Sequence, residues 1–442
     1  MDTISRLAGH AASACVAAAI LIGCSDGGGS PVGGFAPPEA MAPGGAATTL
    51  SVQRKQNFSH YYVVDLGTLG GTLSVANSIN DRGWIAGISR ISGNAAVHAV
   101  LWVNGQKVDL KTLGGPNSGV GWPVKNDRGE IVGISDLAQP DALAENFCGF
   151  ASSDLCAGFQ WKNNVLTPLP TLGGNNSFAA GVNDAASIVG FAETATRDAA
   201  CGSPQVLDYF ATIWKADGHP HALPPAQGDA VSQAVSIDSA GDAVGASGPC
   251  GPPNNLGYGT AHALLWKQGA PPTDLGNLGG STANLATAIN DRGDVVGQSA
   301  VTGNTTYHAF RWQQGSISDI GTLPGDESSE ALGVNDKTQI VGSSCDAGGT
   351  CRGFIWQNGG IADLNLLVPH SQLYVTYAGD INDRGWIVGQ AVDLKTGRAP
   401  AVLLIPTQGS VNIGSISASK VTLPESVRRA LKASHGFRRF IQ

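Results

Sequence analysis

Charge is scarce in this sequence: Asp, Glu, Lys and Arg make up 14% of 442 residues, where about a quarter is usual. That leaves little material for the charged outer faces of helices. Beyond residue 23 no run approaches the 18 or more apolar residues of a membrane-spanning helix. Several chemical signatures are missing too. No Gly-rich loop ends in Gly-Lys-Ser/Thr, there is no Gly-x-Ser-x-Gly elbow, and no His-Glu-x-x-His pair is found. A net charge of −8 argues against nucleic acid as a partner. What is abundant is glycine, at 61 residues, beside 42% hydrophobic residues, enough for a large core in a chain full of turns.

The first residues read as an export signal, with Arg6 in a short polar start and an apolar run from Ala11 to Gly23. Leu21-Ile22-Gly23-Cys24 closes it and resembles the lipobox of bacterial lipoproteins. That resemblance implies cleavage after residue 23 and lipid attachment at Cys24, hence anchoring to the outer membrane, on its periplasmic or its outer side. Residues 24–59 are rich in Gly, Pro and Ala and read as a flexible tether.

One turn then recurs seven times, at Asn80-Asp81, Asn126-Asp127, Asn183-Asp184, Asp238-Ser239, Asn290-Asp291, Asn335-Asp336 and Asn382-Asp383. Seven residues after the first member of each pair stands a glycine, from Gly87 through Gly389, without a slip. Trp102, Trp161, Trp214, Trp266, Trp312 and Trp356 mark a third position, which Leu404 takes in the last unit. Asp-Leu or Asp-Ile pairs such as Asp109-Leu110 and Asp319-Ile320 mark a fourth. Each unit of 45 to 57 residues offers four short strands, with hairpin signals after the first (Asn-Asp-Arg-Gly) and the third (Asn104-Gly105). This is the pattern of a propeller blade. A β-solenoid competes, but its coils run to roughly 20–30 residues and need no hairpin in each. The expected fold is all-β: a seven-bladed propeller over residues 60–406. Its last blade has only three strands of its own, so Tyr61 to Leu66 is expected to pair beside Ala401 to Ile405 and close the ring. Val411 to Gly414 is the rival closing strand.

His308-Ala309-Phe310-Arg311-Trp312 and Asp65-Leu66-Gly67-Thr68-Leu69-Gly70-Gly71 carry a resemblance to the HAF family of extracellular repeat proteins, which extends from about Tyr61 to Pro406. It implies an exported repeat protein with no defined reaction.

His98, His262 and His308 share one position, but Ala157, Phe210 and Arg352 fill it elsewhere, which favours a structural role. The Asn-Asp turns lack the alternating Asp spacing of calcium loops, so neither metal nor cofactor is expected. Individual character sits in the connections between second and third strands of units two to four. These carry Asp136, Asp141, Glu145, Asp154, Glu193, Asp198 and Asp208, with Phe147, Phe150, Tyr209 and Tyr258 as aromatic contacts, and they form the candidate binding surface. Six cysteines lie between second and third strands, four of them in these units and two in unit six, expected to pair as Cys148 with Cys156, Cys345 with Cys351, and Cys201 with Cys250. Residues 407–442 form a basic tail, either a short amphipathic helix or disordered.

The expected function is an exported, lipid-anchored monomer that binds an envelope or extracellular ligand, protein or glycan, through loops on one propeller face. The alternative is a hydrolase or lyase acting on envelope polysaccharide; no catalytic constellation supports it in the sequence.

Overall fold

The computed structural model describes residues 57–124, 126–251, 259–369 and 371–412. Cys24, Tyr258 and the basic tail beyond residue 412 lie outside them.

Alternating apolar and small residues make the strands, and the strands form seven separate four-stranded antiparallel sheets, six of them in simple sequence order. The first blade sets the pattern with strands Gly70–Ile79, Ile85–Ile91, Val97–Val103 and Gln106–Lys111. Its Asn-Asp-Arg-Gly segment is the first hairpin turn and Asn104-Gly105 the second. The Gly-Gly of the Thr-Leu-Gly-Gly loop does more than cross between blades: Gly70 already pairs with Ile91 at the outer end of the first strand.

The glycine seven residues into each unit is fixed by close approach. A Cβ on Gly87 would lie 2.0 Å from the Val75 carbonyl, and on Gly190 1.9 Å from that of Phe178. The first strand bulges there, shifting register between Ala76 and Ser78. Any side chain would push the two inner strands apart.

The seventh sheet is assembled from both ends of the chain. Strands Leu373–Ile381, Ile387–Asp393 and Ala401–Asn412 are completed by Asn57–Gly67 on the outside. Tyr62 pairs with Ile405 and Val64 with Leu403. The rival segment at Val411 does not form a closing strand; it extends the third strand and itself pairs with Phe58. Buried Phe58 and Tyr61 anchor the closing strand in the cluster of Val375, Ile387 and Leu404.

Trp102, Trp161, Trp214 and Trp266 are buried in the apolar layers between blades. Two of them are tied to the crossover before their own blade: Trp214 Nε1 donates to Pro170 O at 2.9 Å and Trp266 Nε1 to Pro224 O at 2.7 Å.

Candidate functional site

The hairpin turns after the first strands gather around the propeller axis. Each Asn closes its own turn through Oδ1: that of Asn80 accepts Arg82 N at 3.1 Å and Trp84 N at 2.8 Å. Its amide nitrogen is then free to reach the next blade, and Asn80 Nδ2 donates to Asn126 O at 2.8 Å. The same link runs from Asn126 to Asn183, from Asn183 to Asp238, from Asn290 to Asn335, from Asn335 to Asn382 and from Asn382 back to Asn80. The Asp of each turn adds a second link, since its Oδ1 accepts the backbone N–H of the turn before it. Asp127 receives Asp81 N at 3.1 Å, and Asp81 receives Asp383 N at 2.8 Å across the ring closure. The turns thus form a hydrogen-bonded belt in which every blade grips the next.

Unit four breaks the belt twice. Asp238 has no amide to donate toward Asn290, and Ser239 has no carboxylate to receive Asp184 N. Among the described residues only Ser239 N to Asp291 Oδ1, 2.9 Å, joins that turn forward.

The belt encloses a cavity of about 150 Å³ whose walls include Ile79, Ile237, Ile289, Val334 and Ile381, with Asp81, Asp127, Asp184, Asp291, Asp336 and Asp383 around it. Crowding of like charges shows in its electrostatics. Partial burial, with Asp81 and Asp184 beside it, raises the Asp127 carboxyl above its ordinary range. Asp336 is raised by burial and by Asp383 and Asp291. Asp238 is pushed up to about 6, chiefly by burial. This axial site was missed at the level of sequence, although its signal was present: a carboxylate at one fixed position in six of seven turns, and a single exception.

The connections between second and third strands lie on the opposite face. Their three disulfides pair as expected, Cys148 with Cys156, Cys201 with Cys250 and Cys345 with Cys351. Such bonds suit an oxidising, non-cytoplasmic compartment. Cys156, Cys345 and Cys351 stand within strand ends rather than in the connections themselves.

The acidic and aromatic residues expected to face solvent there are largely turned inward, which corrects the picture of a charged contact surface. Asp136, Asp141, Glu145, Phe147, Glu193 and Tyr209 are all buried; Phe150, Asp154, Asp198 and Asp208 are half-buried. The reason is backbone satisfaction: irregular connections leave N–H groups without strand partners, and these carboxylates accept them. Glu145, from blade two, accepts Val206 N at 2.7 Å and Leu207 N at 2.9 Å in the connection of blade three. Glu193 accepts Asn175 N at 3.1 Å and Asn176 N at 2.9 Å. Gln205 Nε2 lies 3.0 Å from Glu145 Oε1 and 2.9 Å from Glu193 Oε1, holding the two carboxylates side by side. Burial raises both, and the Glu145 charge raises Glu193 further. Burial also pushes Asp136 up to about 6. Phe147 inserts beside Phe191, 5.4 Å between ring centroids, and meets Tyr209 edge-on at 5.8 Å. Asp198 and Asp208 flank the Cys201–Cys250 bond, where a metal ion would find no thiolate. What this face offers to solvent is mostly small and neutral, including Pro140, Ala142, Ala151, Ala195 and Thr196.

The histidine column is structural and finds its partner in the Asp-Leu column. His98 Nδ1 lies 2.9 Å from Asp109 Oδ1 and His308 Nδ1 2.8 Å from Asp319 Oδ2. Arg352, at the same position, binds Asp363 Oδ2 at 3.0 Å. His262 departs and takes Asp229 Oδ2 at 2.8 Å.

No family model matches the chain, and no curated protein matches it in sequence. Among solved structures it is similar to a gluconolactonase from Xanthomonas campestris, with 12% identity over 78% of this chain and 90% of that one, at a TM-score of 0.35. A puromycin hydrolase mutant aligns at 14% identity over 81% of this chain and 56% of its own, TM-score 0.45. An oligogalacturonate lyase in complex with manganese aligns at 10% identity over 80% and 98%, TM-score 0.31.

Proposed function

We propose that the protein is an exported, lipid-anchored repeat protein of the HAF type, acting as a binding module through the face built by the insertions of blades two to four. One observation carries this reading. Ring closure makes no use of these insertions, yet two disulfides and the buried Glu145–Gln205–Glu193 group fix them and bolt the connection of blade two to that of blade three. Rigid presentation of a surface lowers the ordering cost of binding. Because the acids are turned inward, the ligand would meet small neutral side chains, which suits an envelope or extracellular glycan or an uncharged protein surface more than a polycation. Attachment at Cys24 would hold this face off the membrane at the end of the tether.

Binding to an array of envelope glycans, with and without calcium, tests the reading. A variant with the exposed Ala142, Ala195 and Thr196 replaced by Arg should keep its melting behaviour and lose binding. Binding that survives the replacement would sink the loop-face assignment, and cleavage of a bound glycan would favour the hydrolase or lyase alternative. Cys24→Ser should abolish metabolic labelling by a fatty acid and release the protein from membranes.

A further inference from the structure

The break in the belt opens onto the axial cavity, on the face opposite the insertions. Asp238 is 7% exposed and lines that cavity. Its Oδ1 accepts Asp242 N at 2.8 Å, as each Asn Oδ1 does in its own turn, and among the described residues no hydrogen bond ends on Oδ2. By position in the repeat, Oδ2 replaces the amide nitrogen that in the other six units donates to the next turn's carbonyl. Here that carbonyl is Asn290 O, which keeps only the bond from Gly293 N. Two acceptors thus stand together where the rest of the belt has a donor and an acceptor. What the place lacks is hydrogen-bond donors carrying positive charge.

The surroundings define the remainder of a ligand. The carboxylates of the belt favour a cation, while Ile237, Ile289 and Val334 line the cavity with hydrocarbon that a hydrated metal ion would not use. A volume of about 150 Å³ suits a body of roughly six heavy atoms, since a dry cavity of that size holds benzene. We propose that the axial cavity binds a primary alkylammonium group, with its N–H donors on Asp238 Oδ2 and Asn290 O and its alkyl chain against Ile237, Ile289 and Val334. A free amine and a lysine side chain of a partner protein present the same chemistry.

Calorimetric titration of the full chain with n-butylammonium tests the proposal, beside an acetylated peptide carrying one Lys, n-butanol, tetramethylammonium and calcium. Saturable binding of butylammonium or the peptide is expected, with n-butanol and tetramethylammonium at least tenfold weaker. The tighter of the first two identifies the source as free amine or lysine side chain. Asp238→Asn supplies the missing amide of the belt, so it should melt at the parent temperature or higher while binding at least tenfold more weakly. Equal binding by Asp238→Asn, equal binding of n-butanol, saturable binding of calcium alone, or no saturable binding at any pH from about 7 to 9, above the range near 6 in which a proton on Asp238 would itself fill the gap, would each overturn it. The insertion-face variant leaves this site untouched, so the two readings fail separately.

Discussion

Ala186 and Thr338 hold φ of 58° at the turn position where the other five units place glycine. A side chain in the left-handed region costs about 1–2 kcal/mol, and the belt holds these residues there because the turn must deliver its Asn to the next blade. Ala186→Gly removes that cost but adds freedom to the unfolded chain, so a net gain of about 0.5–1 kcal/mol is expected in denaturant unfolding. Destabilisation would show that Ala186 is not strained. The paired carboxyls of Glu145 and Glu193 give a second test. Their folded pKa values are raised above the ordinary Glu range near ~4.3, so the native state keeps a proton that the unfolded chain has released. The stability they contribute is complete below that range and is lost as pH rises through the raised values. Glu145 Oε2 is buried without a hydrogen-bond donor. Glu145→Gln puts a permanent donor there, so stability near pH 8 should increase by about 1–2 kcal/mol and the fall between about pH 5 and 8 should flatten. An unchanged slope would remove the pair as its cause.

At the scale of strands, the closing segment Asn57–Gly67 carries the largest single consequence. Deleting residues up to Leu66 strips the outer edge of Ala401–Asn412 and uncovers the space filled by Phe58 and Tyr61, so the melting temperature should fall sharply; a value equal to the parent's would refute terminal closure. Phe58→Ala, a gentler probe, should cost about 3–5 kcal/mol. This closure was legible from sequence because an Asp-Leu landmark stood without a preceding third strand. The blades were legible for a related reason: hairpin signals and alternation are local properties. The insertion acids were not. Whether Glu145 meets solvent depends on which N–H groups the neighbouring connection leaves open, and Val206 and Leu207 lie 61 and 62 residues away. The His and Asp columns sat between these cases. His98 and Arg352 occur in units whose fourth strand carries Asp109 or Asp363, while Ala157 and Phe210 occur where the fourth strands, Val165–Pro168 and Pro220–Leu223, contain no Asp. The correlation was available within the one chain.

Across the whole ring, the joint between blades three and four is the place where chemistry substitutes for the belt. It lacks the carboxylate link that Ser239 cannot make, and on the opposite face Cys201–Cys250 ties the same two blades covalently. That bond spans 49 residues, against 6 for Cys345–Cys351. Limiting the unfolded chain over a longer loop is worth more, so the double change Cys201→Ser, Cys250→Ser should cost about 2–4 kcal/mol and exceed the matching change at Cys345 and Cys351. Equal losses from the two pairs would show that the bridges act through local geometry alone.

The first and last described strands meet end to end. Asn57 pairs with Asn412, and the strands they end are the fourth and third of one blade, arranged as every other blade arranges the two arms of its second hairpin. The break between residues 412 and 57 is therefore a nick in a circle, made at one of seven equivalent hairpins. Joining residues 412 and 57 by a short turn, without the residues that lie beyond them, and opening the chain at Asn104-Gly105 instead would give a circular permutant whose seventh blade is continuous, with the new nick in blade one.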